Sequence, residues 1–300
     1  MRDRNRPGAN LDALPYRGAP ANLDALPYRG VFGDPRPPAM SGLALPPTPM
    51  SSHHGLRPLK AWRYVGAFGP ELMLCVGVVR VGPLRQSFWA VWNRAEGRLH
   101  ERTALGTSGV RLERGRARVL SAEVQLDLAL EETAGIEAVC PTGRSYAWTR
   151  KQGGVPAHGT LRIAGGPPRT VQAAAVIDDT AAYYARHTSW QWCAGVGHAT
   201  DGRAVAWNLV SGVNDPAAGS ERTIWIEGRA LEAPPCAFAP DLSRVEALRF
   251  FAEATRERRD NLLIVRSSYR QPFGRFEGEL PGGIELAEGY GVMESHDAWW

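Results

Sequence analysis

The sequence predicts a mostly β protein made of two tandem antiparallel β-barrel modules behind a flexible N-terminal arm. Three observations predict it: apolar residues that alternate with a period of two, glycine-bearing turns at short intervals, and a series of ordered matches between the two halves of the chain. The clearest alternation sets Val124, Leu126, Leu128 and Leu130 against Glu123, Gln125, Asp127 and Ala129. A period of two puts one set on each face of a strand. Turns recur at Gly82-Pro83, Glu96-Gly97, Gly153-Gly154, Gly165-Gly166, Asp201-Gly202, Glu227-Gly228 and Gly282-Gly283. Many short strands joined this way make a sandwich or a barrel.

Bulk composition narrows the options. The 300 residues are 44% hydrophobic and 22% charged, ordinary for a globular chain. Net charge is +4, but it resides in residues 1–60, which hold eight Arg or Lys against four Asp; residues 61–300 carry 27 basic and 27 acidic residues. A neutral body lacks the basic stripe of a nucleic-acid binder, so no nucleic acid is expected as a partner. Cys75, Cys140, Cys193 and Cys236 are far apart, with no CxxC pair. They read as free thiols in a reducing compartment, with no zinc and no cofactor implied. The N-terminal MRDRNRPGAN has no apolar core of a signal peptide, and the longest apolar run, Leu72 to Val79, is too short for an integral membrane segment. A cytoplasmic location is expected.

Along the chain, residues 1–58 are rich in Pro, Gly, Ala and Arg and read as a flexible arm. ANLDALPYRG occurs in it twice, at Ala9–Gly18 and Ala21–Gly30, and His53-His54 lacks the further ligands of a metal site. The body begins near Lys60. Leu72 to Val79 and Phe88-Trp89-Ala90-Val91-Trp92 read as strands. One helix is a candidate: Asp241 as N-cap before Leu242, Val245, Leu248 and Phe251, although Leu248-Arg249-Phe250 suits a strand equally.

The two halves match in order at offsets of 115–120 residues. Cys75-Val76-Gly77 resembles Cys193-Ala194-Gly195, and Ala90-Val91-Trp92-Asn93 resembles Val205-Ala206-Trp207-Asn208. Glu101-Arg102-Thr103 matches Glu221-Arg222-Thr223, and Lys151-Gln152 matches Arg270-Gln271. Gly159-Thr160-Leu161 and Asp178–Tyr184 fall over Gly278-Glu279-Leu280 and Glu294–Trp300. The expected modules are residues 60–182 and 183–300, each of a size for one antiparallel barrel.

Several longer motifs carry a family resemblance. Trp207-Asn-Leu-Val-Ser-Gly-Val-Asn-Asp215, Ser220-Glu-Arg222, Arg266-Ser-Ser-Tyr-Arg-Gln-Pro-Phe-Gly274 and Gly289-Tyr-Gly-Val-Met-Glu294 with His296 resemble the bacterial "domain of unknown function 2804" family over residues 56–300. More remotely, the two-module plan is similar to the double-lipocalin proteins that include carotenoid hydratases and tocopherol cyclases. That resemblance implies lipocalin-like barrels and carries over no catalytic residue.

No G-x-S-x-G, Walker, G-x-G-x-x-G or H-E-x-x-H signature is present. The candidate catalytic residues are therefore isolated acids and one histidine: Glu294, His296, Asp297 and Glu221. On an extended strand Glu294 and His296 share a face, where a carboxylate would raise the imidazole pKa. Glu221 and Arg222 point to opposite faces, and the one facing inward needs a partner. Trp190 and Trp192 share a face as core or pocket wall. With Asn208, Arg222, Tyr269, Arg270, Gln271 and Phe273 they form the candidate ligand-binding set. Asn214-Asp215-Pro216 is first of all a turn. Three functions fit. The barrels enclose an apolar pocket and act on a lipid or isoprenoid, by acid-catalysed hydration, cyclisation or isomerisation of a C=C bond; or they carry an apolar small molecule; or they form a scaffold with no ligand. The last residues, Tyr269, Pro272-Phe273-Gly274 and His296, have no twin in the first half and stand out as a possible insert and site.

Overall fold

The computed structural model describes residues 23–262 and 265–300. Nearly all regular structure in it is antiparallel β. The first sheet uses β1 (Tyr28–Val31), β4 (Lys60–Phe68), β5 (Leu72–Val81), β6 (Leu84–Asn93), β7 (Arg98–Leu105), β8 (Val110–Glu113), β9 (Arg116–Leu120), β10 (Val124–Leu130), β11 (Ile136–Pro141), β12 (Tyr146–Ile163) and β13 (Arg169–Ala182). Two-residue strands β2 (His53–His54) and β3 (Arg57–Pro58) pair separately. The second sheet uses β14 (His187–Ala199), β15 (Ala204–Ser211), β16 (Thr223–Ile226), β17 (Arg229–Glu232), β18 (Arg244–Val245), β19 (Leu248–Leu262), β20 (Val265–Leu280) and β21 (Ile284–Trp299).

The two sheets share one plan. In the first, the order is β7-β6-β5-β4-β13-β12-β10-β9-β8, with β11 beside the other half of β12 and β1 beside β11. In the second it is β17-β16-β15-β14-β21-β20-β19-β18. Each sheet runs out through three hairpins and returns so that the strand opening the hairpins pairs with the last strand: β4 with β13, and β14 with β21. Register makes positions equivalent. Tyr64 lies opposite Asp178 and Trp62 opposite Thr180; Trp192 lies opposite Glu294 and Trp190 opposite His296.

Both faces of the central strands are buried, which explains why they are apolar throughout. The concave face of the first sheet is filled by a cluster that includes Val65, Leu74, Trp89, Leu126, Leu128 and Leu161. That of the second is filled by Trp207, Leu209, Phe250, Phe276, Leu280 and Met293. Alternate residues of the same strands, among them Tyr64, Met73, Trp92, Trp192, Phe273 and Val292, meet in a third cluster between the sheets. At that contact Gly153 lies against the Trp225 ring, where a Cβ would come within 2.3 Å of it.

Several expectations change. Residues 1–22 lie outside the described residues, and with them the first copy of ANLDALPYRG. Residues 23–58 are laid on the first sheet: β1 pairs with β11, and Met40, Leu43 and Leu45 are buried with Tyr146, Trp148 and Tyr183. A few spaced apolar residues suffice to dock a Pro-rich segment that has no periodicity. Arg29 also reaches the second sheet, donating to the Ser220 carbonyl at 2.7 Å. His54 bonds the Ser145 hydroxyl and packs on Tyr183, a structural role. The Asp241 helix does not form; Leu248–Leu262 is a 15-residue strand.

Gly153-Gly154 is a bulge inside β12 where a turn was expected, with Gly154 at φ +70°. Pro272-Phe273-Gly274 is not an insert but the middle of β20. Pro272 has no N–H, and the ladder to β21 passes from Arg270–Ser295 to Phe273–Val292 around it.

The duplication is real in topology, but some sequence matches are one strand out. Cys75 is on β5 and Cys193 on β14, although β14 is the counterpart of β4. Glu101 is on β7, whereas Glu221 precedes β16, the counterpart of β6. The true offset is 128 at Tyr64/Trp192 and 116 at Asp178/Glu294, because the first half has 12 more residues between these positions than the second. The Asp178/Glu294 match is in register.

Candidate functional site

The residues that face each other across the two sheets leave a cavity of about 360 Å3. It lies between the sheets, not inside either one as the barrel reading expected, because large side chains fill both concave faces. Trp62, Tyr64 and Asp178 come to it from the first sheet, and Trp190, Trp192 and Glu294 from equivalent positions of the second. Leu84 and Leu105 line it while remaining 49% and 72% exposed, so one side of it opens to solvent.

Two carboxylates mark the pseudo-symmetry. Asp178 accepts from the Trp62 indole at 3.0 Å and from the Thr180 hydroxyl at 2.8 Å, and the Lys151 ammonium stands 2.5 Å from it. Glu294 accepts from the Trp190 indole at 3.0 Å and from the Gln271 amide at 2.9 Å. Lys151 lies directly opposite Asp178 on β12, and Gln271 takes the corresponding place on β20. The half-sites therefore differ in one respect that controls charge: a cation beside one acid, an amide beside the other.

The consequence is electrostatic. Burial pushes the Glu294 carboxyl up to about 7, against hydrogen bonds from Trp190 and Tyr269 that favour its anion; the nearby Asp178 charge adds to the rise. Lys151 is fully buried. Burial disfavours its charge, but Asp178 and then Glu221, at 3.2 Å, outweigh this and hold it above the ordinary lysine value. Glu221 is pushed up, first by burial and also by the Asp178 charge, with Lys151 opposing. One ammonium between two buried carboxylates leaves an excess negative charge, which favours a retained proton there.

Each candidate from the sequence has a definite place. Trp190, Trp192, Tyr269, Glu221, Glu294 and His296 all line the cavity. Trp190 stacks on Trp62 with ring centres 6.1 Å apart and on Trp300 at 6.4 Å, and Trp192 meets Tyr64 edge-on at 5.3 Å. His296 shares the face of Glu294, but its partner is different from the one expected. Its Nε2 meets the Ser267 hydroxyl at 2.7 Å, and burial lowers its pKa to about 4, so the ring is neutral near pH 7. Asp297 points the other way and pairs with His187 at 2.8 Å on the half-exposed outer side.

The remaining candidates support the site from outside. Gln271 orients Glu294. Asn208 accepts from the Trp192 indole at 2.8 Å. Arg222 is buried on the far side of the chain from Glu221 and donates to the carbonyls of Asp215 and Pro216. Phe273 is packed in the intersheet core, and Arg270 is exposed beside Glu257. Asn214 does adopt a turn conformation, with φ +51°, yet its amide also bonds the Glu221 carboxylate at 2.9 Å and the Tyr184 hydroxyl at 2.6 Å.

Sequence reasoning missed Trp62, Tyr64, Lys151, Asp178 and Arg256. Arg256 is buried, donates to Glu101 at 2.9 Å and to the Gln271 carbonyl oxygen at 3.2 Å, and so bridges the sheets. For Lys151 and Asp178 the signal is the duplication itself: they match second-half residues because they form the other half of the same site, whereas Trp62 and Tyr64 lie at an offset of 128 that the sequence matches do not reach. Among the described residues no group of three or more His, Cys, Asp or Glu is arranged to hold a metal ion. No helix among them is long and apolar enough to cross a membrane.

Of the comparisons with known proteins, one gives the family and none goes further. No curated protein matches the chain in sequence at a significant level. Among solved structures, a Nitrosomonas europaea protein with a provisional AttH designation is similar at 14% identity, with 84% of this chain and 98% of that chain covered and a TM-score of 0.48. Kievitone hydratase from Nectria haematococca is similar at 12% identity, covering 79% and 88%, with the same TM-score. CghA is similar at 8% identity, covering 80% and 87%, with a TM-score of 0.42. The family described as domain of unknown function (DUF2804) matches residues 106–300, and the chain belongs to it.

Proposed function

We propose that the protein binds an apolar small molecule in the intersheet cavity and acts on it by acid catalysis, with Glu294 as the proton donor. The observation that carries this reading is the Glu294 carboxyl, buried between Trp190, Tyr269 and Gln271 with a pKa of about 7. A carboxylic acid kept neutral near pH 7 by apolar surroundings is a proton donor in waiting. Protonation of a C=C bond creates a cation, and the faces of Trp190, Trp192 and Tyr269 line the space where it would form. Hydration, cyclisation and isomerisation of a lipid or isoprenoid all begin with that step. His296, neutral and held by Ser267, is a polar neighbour suited to orient a ligand. The four free thiols suit a reducing, cytoplasmic setting.

Native mass spectrometry of freshly purified protein identifies any co-purifying apolar molecule, which then serves as substrate. Glu294→Gln keeps the shape of the site and, through its single carbonyl oxygen, an acceptor for one of the two donors, Trp190 or Gln271. The expected result is loss of turnover with binding retained. Turnover that survives in Glu294→Gln removes the acid role; binding without turnover in the unmodified protein leaves carriage of the ligand as the function.

A further inference from the structure

Three cavity-lining residues, Arg63, Tyr64 and Asn214, hold a buried polar atom without a hydrogen-bond partner, and of these only Tyr64 lies on the side of Glu294 and Arg256. The Tyr64 hydroxyl is buried, lines the cavity, and has no oxygen or nitrogen partner among the described residues; beside it stands only the Cys75 thiol, a weak hydrogen-bonding group. A buried hydroxyl is normally hydrogen-bonded, and an exception inside a binding cavity points to a group the ligand supplies. The charges and polar groups acting on this hydroxyl are those of Cys75, Tyr269, Glu294 and Arg256. These converge as donors. Arg256 brings a guanidinium whose Nη1 already reaches the Tyr269 oxygen at 3.5 Å and the Gln271 carbonyl oxygen at 3.2 Å. Glu294, when protonated, brings an O–H.

From this convergence we propose that the ligand carries a carbonyl oxygen on an otherwise apolar skeleton, and that Tyr64, with Glu294 and Arg256 close by, binds that oxygen. The assignment rests on the cavity being a ligand site and deepens it by naming the ligand class. A tyrosine beside a neutral carboxylic acid in an apolar site is a chemically competent arrangement for holding a polarised carbonyl, since both donate into a low-dielectric space. A ligand without an oxygen there would leave the Tyr64 hydroxyl still unpaired.

The test uses the full chain and two probes of nearly identical shape, 2-acetylnaphthalene and 2-isopropenylnaphthalene, which differ in a C=O against a C=CH2 group. Titration followed by tryptophan fluorescence is expected to show the ketone binding about tenfold to a hundredfold more tightly. In Tyr64→Phe that preference is expected to fall about tenfold, with affinity for the alkene unchanged. Infrared spectra of the bound ketone are expected to show its carbonyl stretch moved to lower frequency in the unmodified protein and moved back in Tyr64→Phe. Because the substitution removes only an unpaired hydroxyl, its fold is expected to persist, which the unchanged alkene affinity checks. Equal affinity for the two probes overturns the carbonyl assignment and leaves the apolar cavity intact. A preference and a carbonyl stretch that ignore Tyr64→Phe also overturn it. Failure of both probes to bind overturns the assignment together with the ligand site on which it rests.

Discussion

Lys151 and Gln271 hold the same place in the two sheets, each bonded to the carboxylate across its ladder, Asp178 in one case and Glu294 in the other. A duplicated framework thereby contains one acid neutralised as an ion pair and one left to hold its own proton. The difference is one of charge at a single position, and it can be exchanged.

Gln271→Lys is expected to place an ammonium beside Glu294. An opposite charge at that distance favours the carboxylate and moves its titration down by about 1–3 pH units. Infrared titration of the protonated carboxyl band checks this: a band present near pH 6 in the unmodified protein is expected to be absent in the variant. A band that stays would show that Gln271 does not set the protonation of Glu294.

Stability should depend on Glu294 with a defined sign. Its folded pKa, about 7, lies above the ordinary carboxyl value of 4.5, so the folded state binds more protons than the unfolded one between those values. The contribution is present below about pH 4.5 and is lost as pH rises through about 7. The loss is at most about 3 kcal/mol. His296, lowered from 6.5 to about 4, acts oppositely and stabilises as pH rises through that window. Relative to the unmodified protein, Glu294→Gln is expected to gain stability between pH 4.5 and 7 in urea unfolding. A difference between the two that is flat with pH would exclude a raised Glu294.

Lys151→Met is expected to be strongly destabilising. It leaves Asp178 and Glu221 buried without their shared cation, a change that costs about 3–5 kcal/mol when one partner of a buried pair is removed. Denaturant midpoints measure it. The deficit should shrink as pH falls, because burial pushes the Glu221 carboxyl up and a proton there replaces part of the lost cation.

Gly153→Ala tests the contact between the sheets. A Cβ at Gly153 would stand 2.3 Å from the Trp225 ring, on the face where the two sheets meet. Overpacking of this kind costs about 1–3 kcal/mol. A lowered melting temperature together with altered tryptophan fluorescence is the expected result. An unperturbed protein would mean that this seam yields easily.

The sequence by itself determined the all-β class, the doubling of the plan and the family, and that Trp190 shares a face with Trp192 and Glu294 with His296. The class and the shared faces follow from local periodicity, since residues two apart on one strand share a face whatever the surroundings; bringing β14, β20 and β21 together at one cavity is the work of the tertiary structure. It could not show that Asp297 turns outward to His187, that Asn214 bonds Glu221, or that residues 23–58 dock. Only the tertiary structure decided those, and it moved the cavity from inside a barrel to the seam between two sheets. The reason is that central strands are apolar on both faces, so their sequence does not say which face meets its own sheet and which meets the other. Once the sheets are packed, Lys151 and Asp178 from one half stand across from Gln271 and Glu294 of the other, and burial with or without a cation sets which carboxyl keeps its proton.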